Sequence, residues 1–394
     1  MSDAATDLPP DLRQSFPLVI ATLIAVHACM AVTRVTATLW VLQAGLGEWT
    51  VGVLLSLFAV APIAMSLWAG GLADRHGFHR PVGVGVCMAF AGAVVALASQ
   101  TLPAIAFSCL MCGGAVSVAA VAIQREAGLM ADSPDQLKKV FSWVALGPSL
   151  SNAIAPVIAG LFIDHLGFRW AFGFAVLLPL LSWGLALRVP RHPPKPQEAA
   201  AKPRPTWHLL KHAPLRQLLL LNIVLSACWD AHSFVAPVVD HAKGLSASSI
   251  GLVLGSFAVA ATLVRLAIVR FSNSLDELKA LRVAMVLAMF MLLVYSWLPG
   301  ALGMMLGSAL LGLALGSVQP MVLAMLHQVT PADRHGQALG LRMLAVNGAT
   351  IAMPIGFGLL ASSTLAAAPM WLMASLLLAA QWPARALRRA QLNH

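Results

Sequence analysis

Long apolar runs recur along the whole chain and constrain its fold more than any other feature. A helix needs about 20 apolar residues to cross the roughly 30 Å hydrocarbon core of a bilayer. Backbone polar groups in lipid must be satisfied within their own segment, so each such run is predicted to be an α-helix. Twelve runs are long enough, at approximately 17–39, 50–72, 81–99, 103–125, 140–163, 169–188, 215–238, 248–270, 280–298, 301–326, 338–361 and 366–386. We therefore expect an all-α integral membrane protein with 12 transmembrane helices.

The composition agrees with a lipid environment. The chain is 59% hydrophobic and 10% charged, with a mean hydropathy of +0.82, which leaves too little polar surface to cover a soluble globule. The five cysteines fall inside apolar runs, where a small, soft side chain packs well. We therefore expect no disulfide framework, no metal site and no cofactor.

Basic residues fall almost entirely on one side of the predicted membrane. With a cytoplasmic N-terminus, 20 of the 25 Lys and Arg residues lie in cytoplasmic segments, two lie on the other side and three fall within spans. This positive-inside pattern predicts a bacterial-type inner membrane protein with both termini in the cytoplasm. The topology also accounts for the net charge of +10 without nucleic acid.

The two sets of six runs are related in sequence. Residues 46–61 and 245–260 align without a gap at an offset of 199, and seven of the 16 positions are identical. Residues 188–214 between the sets are rich in Pro and basic residues, which predicts a solvated linker. We expect a six-helix bundle at 1–187, a cytoplasmic linker at 188–214 and a second six-helix bundle at 215–394. Parallel repeats of this kind build one large class of transporters.

A motif after the second run is specific to a known family. The stretch Gly70-Gly-Leu-Ala-Asp-Arg-His-Gly-Phe-His-Arg80 resembles the signature Gly-x-Leu-Ala-Asp-Arg-x-Gly-Arg-Lys between spans two and three of the major facilitator superfamily. Phe78 and His79 replace the usual basic pair. The resemblance implies two six-helix bundles related by a pseudo-twofold axis. It also implies a cytoplasmic gate that contains Gly70, Leu72, Asp74, Arg75, Gly77 and Arg80.

The fifth run carries a second resemblance. Residues 147–160 are similar to the Gly-Pro-x-x-Gly-Gly signature of the superfamily's exporters, although Cys109 stands in span four where those exporters carry an arginine. This difference argues against the common drug/proton antiport mechanism. Small and kinkable residues recur every four positions, which places them on one helix face. We expect hinge or packing roles for Pro148, Pro156, Gly160, Pro354 and Gly358.

Ionisable side chains at membrane depth are functional candidates, because each is costly to bury in lipid. His27 and Arg34 lie seven residues apart and share one face of the first helix, while Asn222, Ser226 and Asp230 form a stripe on the seventh. We expect both stripes to face a shared cavity, with Arg34 binding an anionic or zwitterionic group. Asp230 is expected to bind and release a proton, because burial favours the protonated form.

Alternatives to these roles follow from the same residues. Arg34 and Asp230 would instead form a permanent ion pair, and His27 would make a structural hydrogen bond rather than relay protons. Gln124, Asn152, Gln319 and Asn347 are expected either to line the cavity or to pack between helices.

Three further groups of residues are expected to be structural. Arg265 and Arg342 are predicted to extend towards the headgroups, and Glu126 is predicted to form a solvated interfacial pair with Arg125. A small-residue stripe in the tenth run predicts close helix packing; it contains Ser308, Gly312, Gly316 and Pro320.

These features predict a monomeric secondary active transporter that moves a small-molecule substrate across the bilayer by alternating access. Proton-coupled export of a small organic compound is the leading hypothesis, and proton-coupled uptake of a metabolite such as an organic anion is the alternative. No phosphate-binding Gly-x-x-x-x-Gly-Lys-Ser/Thr pattern and no convergent catalytic group is found in the sequence, so neither ATP use nor an enzyme is expected. A non-transporting membrane sensor is the remaining class.

Overall fold

The computed structural model describes residues 10–130, 134–190, 206–271, 277–330 and 335–392, and within these ranges every regular element is a helix. Short 3₁₀ helices cover Thr206–Lys211 and Tyr295–Trp297. The α-helices are α1 (Pro10–Gln43), α2 (Gly47–His76), α3 (His79–Ala98), α4 (Leu102–Leu129), α5 (Pro134–Leu166), α6 (Phe168–Ala186), α7 (Ala213–Ala242), α8 (Ala247–Phe271), α9 (Glu277–Val294), α10 (Gly300–Gly316), α11 (Val318–Val329), α12 (His335–Ser363) and α13 (Ala368–Leu392).

The predicted all-α transmembrane fold is confirmed. Among the described residues, eleven spans are long and apolar enough to cross a membrane, and Ala368–Trp382 is a shorter apolar helix. The tenth predicted run is a single span, Gly300–Leu326, which is divided at Ser317 into α10 and α11. Pro320 lies just after this division, and because it has no N–H it interrupts the helical hydrogen bonds there.

Contacts between residues divide the chain into two compact units. Unit 1 comprises Met1–Gly45, Leu57–Ala199 and Ser246–Gly251, and unit 2 comprises Leu46–Ser56, Ala200–Leu245 and Leu252–His394. Each unit therefore includes the first residues of a helix that mainly continues in the other unit. In unit 1, α1 packs against α4, α5 and α6, and in unit 2, α7 packs against α12 and α13.

The same glycine contact recurs in each unit. In unit 1, a Cβ built on Gly113 of α4 would overlap the Phe58 backbone of α2, and in unit 2 a Cβ built on Gly312 of α10 would overlap the Phe257 carbonyl of α8. Both pairs are related by the offset of 199 found in the sequence. The internal repeat therefore specifies a shared backbone-to-backbone packing mode, which only small residues permit.

A second repeated contact involves the predicted hinge residues. In unit 2, Gly52 of α2 lies against the Pro354 carbonyl, and Gly358 lies against Trp49. In unit 1, Gly251 of α8 lies against the Pro156 carbonyl, and Gly160 lies against Ala247 and Ser248. The first residues of α2 and α8 therefore dock on Pro-x-x-x-Gly faces of α12 and α5, respectively.

Two hydrogen bonds strengthen the contact between α5 and α8 in unit 1. The Asp164 carboxylate accepts hydrogen bonds from the backbone N–H groups of Ala247 (2.9 Å) and Ser248 (2.8 Å). The first N–H groups of a helix have no partner within it and carry partial positive charge, so a carboxylate stabilises this end. In unit 2, the position that follows Pro354 and Gly358 at the same spacing is Ser362, whose hydroxyl donates instead to Leu359 of its own helix. The two repeated contacts thus differ in how they are held.

The glycine contacts predict an unequal response to the same substitution. Gly113→Ala and Gly312→Ala should lower the free energy of unfolding by about 1–3 kcal/mol each, because the added methyl group overlaps backbone. Gly356→Ala is the matched control, since nothing lies within 4 Å of its Cβ position and alanine favours a helix interior. Thermal unfolding in detergent measures the difference. Equal melting temperatures for all three variants would contradict the packing described.

Candidate functional site

The two predicted residues of α1 interact in the structure. His27 is buried, and its Nδ1 atom has no hydrogen-bond partner among the described residues. Arg34 is half-buried and interacts electrostatically with His27. The expectation that these residues share one face of α1 agrees with this interaction. Because Arg34 retains access to solvent or substrate, it remains a candidate binding residue.

The stripe on α7 runs from a buried end to a more accessible one. Asn222 is buried, and its Nδ2 atom has no hydrogen-bond partner among the described residues, whereas Ser226 and Asp230 are half-buried. A carboxyl group with partial access can exchange protons with water. Asp230 therefore keeps the accessibility that its predicted role requires.

The four predicted cavity amides differ in exposure. Gln124, Gln319 and Asn347 are exposed, whereas Asn152 is half-buried on α5. Asn152 lies on the same helix as Pro148, Pro156 and Gly160, of which Pro148 is half-buried and the other two are buried.

The gate motif is mainly helical and extends the second helix beyond the predicted run 50–72. α2 continues to His76, so Gly70 through Arg75 form its last turns, and only Gly77 and Phe78 separate it from α3. Gly77 has a positive φ of 69°, and its N–H donates to the Ala73 carbonyl at 2.9 Å, as expected for the glycine of a tight turn. The helix extends further than the predicted span because its C-terminal glycine cap, Gly77, lies late in the motif.

Arg80 of this motif borders a groove. Arg75 and Arg80 are exposed, Leu72 is half-buried, and the side chain of Asp74 lies outside the described residues. Arg80 and His76 line one part of a groove of about 650 Å³, and the rest of its lining is mainly apolar and includes Leu72, Val84, Cys87, Met88 and Met111.

A buried polar cluster in unit 2 was missed by the sequence analysis. The His232 Nε2 atom lies 2.8 Å from the Ser308 hydroxyl, and the Tyr295 hydroxyl lies 2.7 Å from the same oxygen. The His232 ring stacks on Phe257 at a centroid distance of 4.2 Å. The sequence analysis assigned Ser308 only to close packing and gave His232 no role. One feature of the sequence could have indicated the cluster: Tyr295, the single tyrosine of the chain, lies within an apolar run.

Arg265 is half-buried and contacts two groups inside unit 2, and its extension towards headgroups stays a prediction. Its Nε donates to the Gly316 carbonyl at 3.2 Å, and its guanidinium carbon lies 5.7 Å from the centroid of the Trp229 ring. In an uninterrupted helix, the Gly316 carbonyl would accept from residue 320, but Pro320 has no N–H. The guanidinium therefore replaces the missing donor and gains a cation–π contact.

The prediction that Glu126 is solvated is wrong. Its side chain is only 1% exposed, although it was expected to form a solvated pair with Arg125. The end of α4 is therefore packed more tightly than its charge pattern suggests.

The described helices place ionisable side chains inside spans that are otherwise apolar, an arrangement that defines a polytopic membrane protein of the transporter class. A sequence model of the Major Facilitator Superfamily matches residues 19–307 and 218–390. The chain belongs to this superfamily and is a secondary transporter. The resemblance drawn from the gate motif is thereby confirmed. No curated protein sequence matches the chain significantly.

Solved structures of transporters have the same fold. A point mutant of the peptide transporter POT is 16% identical with a TM-score of 0.77, covering 96% of this chain and 94% of that one. A point mutant of the nucleoside transporter NupG is 15% identical with a TM-score of 0.74, covering 94% and 99%. A bacterial homologue of the human lysosomal transporter Spinster is 11% identical with a TM-score of 0.74, covering 98% of both chains. At these sequence identities, the structural similarity shows a shared fold.

The polar cluster predicts a specific loss of stability. Ser308→Ala removes the shared partner of His232 and Tyr295, so the free energy of unfolding should fall by about 1–3 kcal/mol. Ser375→Ala is the control because this exposed hydroxyl donates only to Trp371 of its own helix, and its effect should stay within about 0.5 kcal/mol. Thermal unfolding in detergent compares the two. A Ser308→Ala variant as stable as Ser375→Ala would contradict a structural role for the cluster.

Proposed function

We propose that the protein exports a small organic compound in exchange for protons, with Arg34 contacting the substrate and Asp230 binding the proton. The observation that carries the proposal is that Arg34 in unit 1 and Asp230 in unit 2 are half-buried charged residues within apolar spans, each on a stripe whose other end, His27 or Asn222, is buried. Such charges are costly in a membrane and are kept where they serve a substrate or ion. The proposed setting is a bacterial-type inner membrane, with cytoplasmic termini and a monomeric chain.

Alternating access needs contacts that can open without unfolding the helices, and the hinge contacts suit this task. Gly52 with Pro354 and Gly251 with Pro156 meet through backbone, so few side chains must be repacked when they separate. The buried prolines also remove one helical hydrogen bond each, which makes α5 and α12 easier to bend. We propose that both contacts open and close during transport.

Export is favoured over uptake by the exporter-like residues 147–160 of α5, while Arg34 favours a substrate with an anionic group. Proton-coupled uptake of a metabolite such as an organic anion is the second candidate. A structural neighbour described as the human organic anion transporter MFSD10 (TETRAN), with a TM-score of 0.66 and 15% identity, supports an anionic substrate as one that this fold can carry. A non-transporting sensor would bind ligand without moving it.

Substitution of Asp230 tests the coupling role. Asp230→Asn keeps the shape of the side chain but cannot exchange a proton, so a pH gradient should no longer drive transport, while exchange of substrate for substrate should continue. Glu48→Gln, which neutralises a half-buried carboxylate at the start of α2, is the control and should retain the wild-type pH dependence. Transport in proteoliposomes with and without a pH gradient measures both. Full gradient dependence in Asp230→Asn would show that this residue does not couple transport to protons.

Inverted vesicles test the direction. In inside-out membrane vesicles acidified in the lumen, an exporter should accumulate substrate, whereas an uptake system should not. A thermal-shift screen of the purified protein against organic anions and other small metabolites supplies the substrate, because a ligand that binds only the folded state raises its apparent stability. Accumulation in right-side-out vesicles with an inward proton gradient would instead favour uptake.

A further inference from the structure

The most unusual ionisable group outside the proposed substrate stripes is Asp240, close to the end of α7. Its side chain is 0% exposed, and neither carboxyl oxygen has a hydrogen-bond partner among the described residues. It lies ten residues beyond Asp230, which corresponds to about 15 Å along a helix at 1.5 Å per residue. Asp240 is therefore separate from the stripe of Asn222, Ser226 and Asp230.

The nearest basic group does not neutralise Asp240 through a direct contact. The Lys243 ammonium group interacts with Asp240 electrostatically, but it donates a hydrogen bond to the Leu298 carbonyl at 2.7 Å and also contacts the Met304 sulfur at 3.8 Å. Lys243 is exposed and therefore strongly screened by solvent. Its position lowers the cost of a charge on Asp240 without supplying the hydrogen bond that a buried carboxylate requires.

Tyr295 also interacts electrostatically with Asp240 and is fully buried. Its hydroxyl is hydrogen-bonded to Ser308, which also contacts His232. His241, the next residue of α7, is half-buried. Among the α-helices that pack against α7, residues 300–316 of α10, 350–363 of α12 and 368–381 of α13 contain no ionisable residue. The ionisable residues of the other two are Glu277, Lys279 and Arg282 in the first two turns of α9 and His327 in α11.

These surroundings determine whether the Asp240 carboxyl group is charged or neutral. A fully buried carboxylate without hydrogen bonds carries a large desolvation cost, even after the protein relaxes. A neutral carboxylic acid carries a much smaller cost, because only a polar group must be buried. In the arrangement described here, the neutral form is therefore the more stable one.

We propose that Asp240 is a second proton-binding site, which holds a proton in this conformation and releases it when the end of α7 becomes hydrated during transport. The inference rests on the proposed proton-coupled function. In the release step, the carboxylic O–H bond breaks, the proton passes to water, and the carboxylate that remains is stabilised by water and by Lys243. Rebinding of a proton from water reverses these changes, so no other reactant is needed.

Infrared spectroscopy tests the protonation state without any transport assay. Protein carrying Asp230→Asn, which removes the other proposed proton-binding carboxyl group, should show in nanodiscs at neutral pH the C=O stretching band of a protonated carboxylic acid, and adding Asp240→Asn should lower the intensity of that band. Adding Glu48→Gln instead is the matched control and should leave the band unchanged. An unchanged band after Asp240→Asn, or no band in the Asp230→Asn protein, would overturn the inference. A band that appears only when sodium is removed would also overturn it, because a cation would then occupy the site.

Transport measurements test the release step. Asp240→Asn mimics the neutral acid, so it should fold with a melting temperature close to that of the wild type and should still bind and exchange substrate. Its transport driven by a pH gradient should fall by at least an order of magnitude. Wild-type coupling in Asp240→Asn, where this substitution lowers the infrared band, would show that the proton is never released, which contradicts the proposal. If Asp240→Asn lowers the band but the wild type shows no transport, the proposed function fails while the protonation of Asp240 stands.

Discussion

Close contacts between helix backbones hold this protein together. In an apolar solvent, the hydrophobic effect does not drive one helix against another, so association depends on packing and on the few polar contacts between helices. Gly113 and Gly312 let α4 and α10 approach the backbones of α2 and α8, respectively. Because both contacts occupy equivalent positions of an internal repeat, one small-residue pattern determines the packing of each unit.

The proposed transport mechanism uses contacts of the same kind. Contacts through glycine and proline interlock few side chains, so in this proposal the first residues of α2 and α8 separate from α12 and α5 without disrupting the apolar cores. The contact of α8 with α5 is strengthened by Asp164, whereas Ser362 follows the other contact at the equivalent spacing. This difference indicates that the two contacts have unequal stability, and the weaker one should open more easily.

The sequence predicted the spans, the repeat and the family because each depends on a local pattern: length in lipid, an ungapped alignment, and the motif Gly70–Arg80. It assigned hinge or packing roles to Pro156, Gly160, Pro354 and Gly358, because small and kinkable residues recur every four positions on one helix face. It did not predict the partners of Arg265, because the acceptor is a carbonyl released by Pro320 on another helix. Asp240 was missed because its significance depends on tertiary burial, which no local pattern reveals.

Reversible cross-linking of the contact between α5 and α8 tests the central claim, that the repeated contacts open during transport, most directly. Asp164→Cys and Ser248→Cys, introduced together with Cys87→Ser to remove an exposed native thiol, place two thiols where the carboxylate now meets the helix terminus. Joining them with a short bifunctional reagent should abolish transport, cleavage of the linker should restore it, and the single-cysteine variants should be unaffected. Undiminished transport through a fully cross-linked protein would show that this contact stays closed and would contradict the account.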